Sequence, residues 1–311
     1  MPTALITGVA GFIGSSLAAS LLDRGYTVHG VDNLSTGYRH NLKDIRSDSA
    51  FSFAEIDIRD TAEIADAISG AKYVFHQAAV SSVPRSIDRP VTSTDVNCTG
   101  TATVLDEARK ASVDTVVVAS SSSIYGTGEG LPKVETMAEQ PESPYALSKY
   151  YTEKLTLQFS QLYDISTVAL RYFNVFGSNQ DPNGEYAAVI PKFINRMINN
   201  KQPIIYGDGE QSRDFTHVHN VIRANVLAAE GDVSGEAFNI GTGSRITINQ
   251  LVEKINSYMG KSIEPIYDDP RPGDVRHSYA DISKAAELLN YKPTVTFEDG
   301  LERTIDSLPS A

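Results

Sequence analysis

Apolar runs rich in β-branched residues alternate with stretches of helical periodicity through the first half of the chain. We predict strands at Ala4–Thr7, Thr27–Val31, Ser52–Ile56, Tyr73–His76, Thr115–Ala119 and Ser166–Arg171, and helices at Ile13–Asp23, Ala62–Ile68, Thr99–Lys110 and Tyr145–Leu162. Continuously apolar strands that alternate with helices indicate right-handed βαβ units and a parallel sheet covered on both faces. The pattern therefore predicts an α/β fold with a doubly wound parallel sheet.

The pattern becomes less regular from about Gly177, where prolines separate shorter elements. We expect a smaller α/β domain there that covers a substrate, interrupted by a return to the sheet near Ala237–Ile240. The first domain is predicted to span residues 1–175 with a return segment near 214–241. The second is predicted to take up 176–311 discontinuously.

Composition narrows the classes of function. The 311 residues include 27 basic and 39 acidic side chains, so the net charge of -12 argues against nucleic-acid binding. The single cysteine, Cys98, excludes an intramolecular disulfide and fits a reducing compartment. We see no signal peptide, and no apolar run approaches the ~20 residues of a membrane helix. These features predict a soluble, cytoplasmic protein.

A glycine-rich turn follows the first predicted strand in "ALITGVAGFIGSSLAASLL". Gly8, Gly11 and Gly14 allow a tight turn, close approach of a pyrophosphate and close helix packing. Phe12 and Ile13 begin the helix, whose N-terminal N–H groups attract phosphate. A strand–turn–helix of this kind at the start of a βαβ unit predicts a Rossmann-type, dinucleotide-binding domain.

The second and third strands end in residues suited to the adenosine half of the cofactor. Asp32, followed by Asn33, can accept hydrogen bonds from ribose hydroxyls and repel a 2′-phosphate, which favours NAD over NADP. Asp32 could instead cap a turn. Asp57 and Ile58 in "EIDIRD" are candidate neighbours of the adenine ring.

The segment "SPYALSK" carries the strongest chemical signal. Ser143 can cap a helix and Pro144 fits its first turn, so Tyr145 and Lys149 lie on one helix face. A nearby ammonium favours the phenolate of a tyrosine, and a phenolate is a suitable base toward a secondary alcohol. We therefore expect Lys149 to lower the pKa of Tyr145. The alternative is an ordinary Tyr–Lys pair on a helix.

Together with "HQAAVSSVPRS", "LRYFNVFG", "YGDGEQSRDF", "FNIGTG" and "RPGDVRHSYADISKA", these motifs make the whole chain resemble the nucleotide-sugar epimerases of the extended short-chain dehydrogenase/reductase family. The combination is most similar to bacterial UDP-N-acetylglucosamine 4-epimerases. The resemblance implies NAD as cofactor and a UDP-sugar as substrate.

The resemblance also assigns the reaction. Ser121, four residues before Tyr125, is the expected catalytic partner of Tyr145 and Lys149. Related 4,6-dehydratases carry Asp–Glu at the next two positions, where this chain has Ser122 and Ser123. Hydroxyls without an activated base cannot readily perform the proton transfers of elimination. The expected chemistry is therefore oxidation of the sugar 4-hydroxyl by NAD followed by return of the hydride to the opposite face.

Further binding residues are implied by the resemblance. Along the cofactor we expect Ala78, Ala79, Asn97 and Tyr172. For the substrate we expect Ser81, Ser82, Arg85, Ser122, Ser123, Asn174, Ala188, Val189, Lys192, Tyr206, Arg213, Arg271, Asp274 and Ser278. Arg213 and Arg271 would clamp the diphosphate, Asp274 would lie near the uridine ribose, and Tyr206 and Val189 would line the uracil pocket.

Ser278 is the expected gate of the sugar pocket, and its small side chain leaves room for a 2-acetamido group. This predicts UDP-GlcNAc and UDP-GalNAc as substrates, with UDP-glucose and UDP-galactose also acceptable. A UDP-glucuronate 4-epimerase, in which Arg85 would bind the carboxylate, remains an alternative. So do a keto-sugar reductase of the same family and an NAD-dependent sensor without catalysis.

Two expectations concern assembly and metals. By resemblance, the helices Thr99–Lys110 and Tyr145–Leu162 would pair with their symmetry mates as a four-helix bundle in a homodimer. His217 and His219 have a spacing found in metal sites, but no further ligand cluster accompanies them. We therefore interpret both histidines as structural and expect no metal.

Overall fold

The computed structural model describes residues 1–128, 130–182, 184, 187–270 and 275–308. Its strands are β1 (Thr3–Thr7), β2 (Thr27–Val31), β3 (Phe51–Ala54), β4 (Tyr73–His76), β5 (Thr115–Ser121), β6 (Ser166–Tyr172), β7 (Val175–Phe176), β8 (Ile204–Tyr206), β9 (Ser212–Arg213), β10 (Thr216–His217), β11 (Glu236–Ile240), β12 (Ile246–Thr247), β13 (Ile266–Asp268) and β14 (His277–Ser278).

Helices cover the strands on both sides. They are α1 (Phe12–Asp23), α2 (Thr61–Ile68), α3 (Val83–Asp88), α4 (Pro90–Thr94), α5 (Gly100–Lys110), α6 (Pro144–Leu162), α7 (Val189–Ile198), α8 (Val218–Glu230), α9 (Ile248–Met259), α10 (Ser283–Leu289) and α11 (Phe297–Asp306). A π-helical turn, Asp95–Thr99, leads into α5, and a 3₁₀ turn, Ser122–Tyr125, follows β5. None of the helices in the described ranges is long and apolar enough to cross a lipid bilayer.

Seven parallel strands form the central sheet in the order β11-β6-β5-β4-β1-β2-β3. The order reverses direction at β1, so β1 and β4 flank the topological switch point, where α/β sheets bind ligands. This arrangement confirms the predicted doubly wound fold. The return segment is β11, which pairs with β6 at the edge of the sheet.

Two apolar layers explain the uninterrupted hydrophobic strands. Ile6, Phe75 and Val117 pack on the side of α1 and α8, whereas Leu5 and Val116 pack on the side of α2 and α5. Because both faces of the sheet are covered, both sets of side chains are buried, and the strands lack polar alternation. A separate core of α7, α9, α11 and the short strands around them lies beyond the sheet.

Some predicted boundaries differ from the observed ones because of strand pairing or an irregular turn. β5 was expected to end at Ala119 but continues through Ser120 and Ser121, because these residues pair with Arg171 and Tyr172 of β6. The helix expected from Thr99 begins at Gly100, since the preceding turn is π-helical.

Asp214 joins β9 and β10 to the segments that follow β11 and β14. Its carboxylate is fully buried and accepts hydrogen bonds from the N–H groups of Thr242 (2.9 Å), Gly243 (3.1 Å) and Ala280 (3.2 Å). The Thr242 hydroxyl adds another at 2.7 Å. A buried carboxylate requires such donors, because burying an unpaired charge is costly.

We therefore expect Asp214→Asn to lower the free energy of unfolding by about 2–4 kcal/mol, because an amide group turned toward these N–H donors leaves part of the cluster unsatisfied. Urea denaturation measures the change. Asp66→Asn, at an exposed position of α2, serves as the control and should leave stability unchanged. Equal stability of the two variants would contradict the anchoring role of Asp214.

Candidate functional site

The glycine-rich turn forms the floor of a cleft of about 440 Å³ at the carboxyl ends of the strands. Gly8 has a φ of 70°, and a Cβ there would lie 2.7 Å from the backbone of Ala78. A Cβ at Gly14 would lie 2.1 Å from the carbonyl oxygen of Gly8. The helix N-terminus can approach the sheet this closely only with glycines at both positions. We call this space the glycine-turn cleft.

Most of the candidate cofactor residues line the glycine-turn cleft. They are Gly8, Gly11, Phe12, Ile13, Gly14, Asp32, Asn33, Ile58, Ala78, Ala79, Tyr145, Lys149 and Tyr172. The candidate substrate residues Ser81, Ser82, Arg85 and Ala188 line it as well. Thus the structure brings together side chains from both halves of the sheet, as the switch-point rule predicts.

Asp32 sits at the end of β2 with its carboxylate largely buried. The oxygen atoms accept hydrogen bonds from the N–H groups of Ala10 (3.0 Å) and Leu34 (2.8 Å). Burial raises the pKa of Asp32, and these two hydrogen bonds counteract part of that effect. The turn-capping role and the ribose-binding role are therefore compatible, because each carboxylate oxygen retains a further lone pair.

Asp57 and Asn97 are not among the cleft-lining residues and support the walls instead. Asp57 accepts hydrogen bonds from Arg59 (2.7 and 2.9 Å) and from the Asn33 amide (3.0 Å), and the Arg59 interaction holds its pKa well below the ordinary value. The buried Asn97 amide oxygen accepts a hydrogen bond from the N–H of Val80 (2.8 Å), and its amide nitrogen donates to the Ser148 hydroxyl of α6. Their expected contact with the cofactor stays a prediction.

Tyr145 and Lys149 project from α6, whose N-terminus is capped by Ser143 as predicted. The Ser121 hydroxyl lies close enough to the Tyr145 hydroxyl to act on its pKa. The Lys149 ammonium donates to the carbonyl oxygen of Ala119 at 2.7 Å. The three candidate catalytic residues are therefore joined through the end of β5.

The electrostatics correct one expectation. Burial raises the pKa of Tyr145, and the opposing influence is the hydrogen bond from Ser121 rather than Lys149. Burial also lowers the pKa of Lys149 to about 8. The reason is that removal from water disfavours both charged forms, while the ammonium is oriented toward Ala119. The residues of the chain by themselves therefore do not bring the phenol pKa below its ordinary value.

The other serines at the strand end have separate contacts. Ser120 is buried and donates to Glu153 at 2.7 Å. Ser121 also accepts the N–H of Ser123 at 3.2 Å and so caps the 3₁₀ turn. Ser122 and Ser123 lie in that turn, partly buried, and neither lines the glycine-turn cleft. Their contact with substrate stays a prediction.

A second cavity of about 270 Å³ adjoins the cleft on the side of the smaller core. Candidate residues that line it are Asn174, Ala188, Val189, Tyr206 and Arg213. Its remaining wall is mostly apolar and aromatic, with Phe176 and Phe215 among its residues, and also includes Gln211. We call it the Arg213 pocket. A cavity with aromatic walls, amide groups and one guanidinium suits a planar base attached to a diphosphate.

Ser278 is half-buried and lines neither cavity. β14 pairs it in parallel register with Arg213 of β9, which lines the Arg213 pocket. Lys192 is half-buried on α7 and lines neither cavity. Arg271 and Asp274 lie outside the described residues.

Sequence reasoning missed several residues that line the site. Tyr38 lines the glycine-turn cleft and donates to Asp181 at 2.9 Å, which links the loop after β2 to the segment after β7. Gln211 lines the Arg213 pocket and donates to the carbonyl oxygen of Tyr206 at 2.8 Å. The motif "YGDGEQSRDF" contained Gln211, but no spacing marks Tyr38 or Asp181, which approach only in the folded chain.

His217 is largely buried, and its ring caps α8 by accepting the N–H of His219 at 3.3 Å. Burial lowers the pKa of His217 to about 4. Within the described ranges, no three His, Cys, Asp or Glu side chains are grouped so as to hold a metal ion.

Comparison with known proteins agrees with this geometry. A UDP-glucose 4-epimerase of Mycolicibacterium smegmatis is 37% identical over 97% of both chains. A UDP-glucuronate 4-epimerase of Thermodesulfobacterium geofontis is 35% identical over 97% of this chain and 94% of its own. The solved structure of a UDP-N-acetylglucosamine 4-epimerase from Methanobrevibacter ruminantium M1, in complex with UDP-N-acetylmuramic acid, matches with a TM-score of 0.95 and 38% identity over 98% of this chain and 97% of that one.

The family model described as the NAD dependent epimerase/dehydratase family matches residues 4–241. That span contains the glycine-rich turn, Asp32, Tyr145 and Lys149, which line the glycine-turn cleft, and Ser121, which ends β5 without lining the cleft. The chain belongs to the NAD-dependent epimerase/dehydratase family.

Proposed function

We propose that the protein is a UDP-hexose 4-epimerase that interconverts UDP-GlcNAc and UDP-GalNAc and also accepts UDP-glucose and UDP-galactose. The observation that carries the proposal is the strand pairing of Ser278, a small side chain, with Arg213, which lines the Arg213 pocket. A small residue there leaves space beside the diphosphate site for a 2-acetamido group.

The site residues suit an oxidation that is later reversed. NAD, when bound in the glycine-turn cleft, supplies a hydride acceptor that returns the hydride within the same turnover. Tyr145 would take the proton of the sugar 4-hydroxyl and return it after the 4-keto sugar has rotated to present its opposite face. Ser121 would hold the reacting oxygen through its hydroxyl, and Lys149 would supply positive charge below pH 8, where it is protonated.

The side chains at the end of β5 and in the glycine-turn cleft distinguish the alternative reactions. Ser122 and Ser123 offer no carboxylate for an elimination, which disfavours a dehydratase. A UDP-glucuronate 4-epimerase is the second candidate, because Arg85 lines the glycine-turn cleft and a guanidinium can bind a sugar carboxylate. A keto-sugar reductase would consume reduced cofactor and release it oxidised, whereas an epimerase regenerates NAD at each turnover.

We expect Ser278→Tyr to reduce turnover of UDP-GlcNAc at least tenfold while UDP-glucose is still epimerised, because the phenol fills the space for the acetamido group. Purified wild type and variant are assayed against UDP-GlcNAc, UDP-glucose and UDP-glucuronate, with products separated by chromatography. Ser278→Thr adds a single methyl group at the same position and is the matched control. Preferential turnover of UDP-glucuronate by the wild type would refute the choice of sugar.

The pH dependence tests the assignment of Tyr145. Because the Ser121 hydroxyl lowers the pKa of Tyr145, Ser121→Ala should raise that pKa and move the acid limb of kcat/KM to higher pH. Activity at neutral pH is expected to fall and to recover partly as the pH rises. Tyr145→Phe should lose about 10²–10⁴-fold at every pH, because no base replaces the phenol. Full activity of Tyr145→Phe would contradict the mechanism.

We also propose that the protein is a homodimer formed through α5 and α6. Leu147 and Tyr151, one turn apart on α6, are 56% and 44% exposed, and Ile87 and Val91 on the neighbouring α3 and α4 are more exposed still. Exposed apolar side chains clustered on adjacent helices are typical of subunit interfaces.

Accordingly, Leu147→Glu combined with Tyr151→Glu should convert a wild-type dimer into monomers, because two carboxylates would be buried at the contact. Analytical ultracentrifugation measures the assembly. Leu288→Glu alters a similarly exposed leucine on α10 and should leave the dimer intact. A monomeric wild type would exclude the proposed interface.

A further inference from the structure

Residues on one face of α6 contact the end of β5 at three successive helical turns. The helix residues are spaced by four, and the strand residues are consecutive. The pairs are Tyr145 with Ser121 through their hydroxyls, Lys149 with Ala119 through the carbonyl oxygen at 2.7 Å, and Glu153 with Ser120 through the serine hydroxyl at 2.7 Å. We call this set of three contacts the strand–helix seam. Two of its contacts use the candidate catalytic residues themselves, and the third uses none of them.

That third contact is fixed from its other side by a buried ion pair. Glu153 is fully buried, and its carboxylate accepts hydrogen bonds from Arg171 Nε at 2.9 Å and from Nη2 at 2.6 Å. Arg171 is 2% exposed and belongs to β6, the neighbour of β5. Two parallel N–H donors fix both the distance and the plane of a carboxylate. The position of the Ser120 acceptor is therefore determined by the sheet.

Arg171 is itself held by further buried groups. Its Nη1 donates to the Tyr125 hydroxyl at 2.6 Å, and its Nη2 donates to Glu139 at 2.9 Å. The Tyr125 hydroxyl donates in turn to Asn239 of β11 at 2.7 Å. The carboxylate of Glu153 thus belongs to a network that joins three adjacent strands, β5, β6 and β11, with α6. Such a network leaves little freedom for α6 to slide or rotate.

We propose that Ser120 and Glu153 are positioning residues for the reaction: they set the register of α6 on β5 and thereby hold the Tyr145 hydroxyl against Ser121. Neither residue is required to touch the sugar. The proposal rests on the proposed 4-epimerase function, since it concerns the same catalytic tyrosine. Proton transfer demands a heavy-atom distance of about 2.6–3.2 Å, so a small shift of the helix is felt at Tyr145.

The test is Ser120→Ala, which removes the seam contact but leaves the ion pair of Glu153 and Arg171 intact. We expect kcat to fall about 10- to 100-fold, in line with the cost of misplacing a catalytic group by up to ~1 Å. KM for the UDP-sugar and the amount of bound NAD should stay within about twofold, because the hydroxyl of Ser120, although this residue lines the glycine-turn cleft, donates its hydrogen bond to Glu153. Ser120→Thr keeps the hydroxyl and should restore most of the lost kcat.

The chain offers a matched control on the same helix. Thr167 of β6 is fully buried and donates its hydroxyl to the carbonyl oxygen of Thr156 on α6 at 2.7 Å. Thr167→Val therefore also deletes one buried hydroxyl that bonds the sheet to α6, but beyond the seam. We expect it to lower thermal stability as much as Ser120→Ala does and to leave kcat unchanged.

A pH profile separates positioning from a general loss of stability. If Ser120→Ala loosens the contact between Ser121 and Tyr145, the acid limb of kcat/KM moves to higher pH, as for loss of the Ser121 hydroxyl itself. Thr167→Val should keep the wild-type profile. Wild-type kcat in Ser120→Ala, or an equal loss in Thr167→Val, would overturn the proposal.

Kinetic assays use whichever UDP-sugar the wild type epimerises fastest, so an incorrect choice of sugar does not affect the result. A wild type that epimerises none of the three would refute the proposed function. Hydrogen exchange then still tests the seam: amides of residues 145–153 should exchange faster in Ser120→Ala and at the wild-type rate in Thr167→Val. Unchanged exchange in Ser120→Ala would refute the seam independently of turnover.

Discussion

The buried ion pair between Arg171 and Glu153 is the interaction on which the geometry of the site depends. Each of the two charges would be costly inside the protein by itself, and removing one partner of such a pair typically costs about 3–5 kcal/mol. The pair is retained at the junction of β6, α6 and, through Ser120, β5. Hydrophobic residues of similar volume could fill that space, but they would not fix the rotation of α6. The ion pair supplies the directional constraint that apolar packing lacks.

Burial acts on the two catalytic side chains in the same direction. It raises the pKa of Tyr145 and lowers the pKa of Lys149, so the chain alone favours a neutral phenol beside an amine that is protonated only below about pH 8. His76 adds no second positive charge near Lys149, because burial and the charge of Lys149 lower the pKa of His76 to about 3. In such a buried site, a positive charge placed next to the phenol would strongly lower the pKa of Tyr145.

Much of this could be predicted from the sequence because the signals are local. Strand and helix periods, the glycine spacing and the i, i+4 pair of Tyr145 and Lys149 each lie within a few consecutive residues. What escaped prediction is set by tertiary contact. Burial of the Tyr145 hydroxyl reversed the expected direction of its pKa shift, and the Lys149 ammonium is oriented toward Ala119. The hydrogen bond from the Asn33 amide to Asp57 joins the segments after β2 and β3, a contact that the strand pattern does not reveal.

The proposed catalytic residues and the proposed gate of the sugar pocket lie in different parts of the fold. The strand–helix seam lies on the central sheet, where the strand order fixes which carboxyl ends meet. Ser278, the proposed gate, lies on a three-stranded sheet, β12-β9-β14, whose paired segments are only two residues long. Asp214 connects the two parts, since it follows Arg213 of β9 directly and accepts hydrogen bonds from Thr242 and Gly243 after β11. Substitutions around Ser278 would therefore alter the proposed sugar pocket while the seam, and with it the position of Tyr145, is preserved.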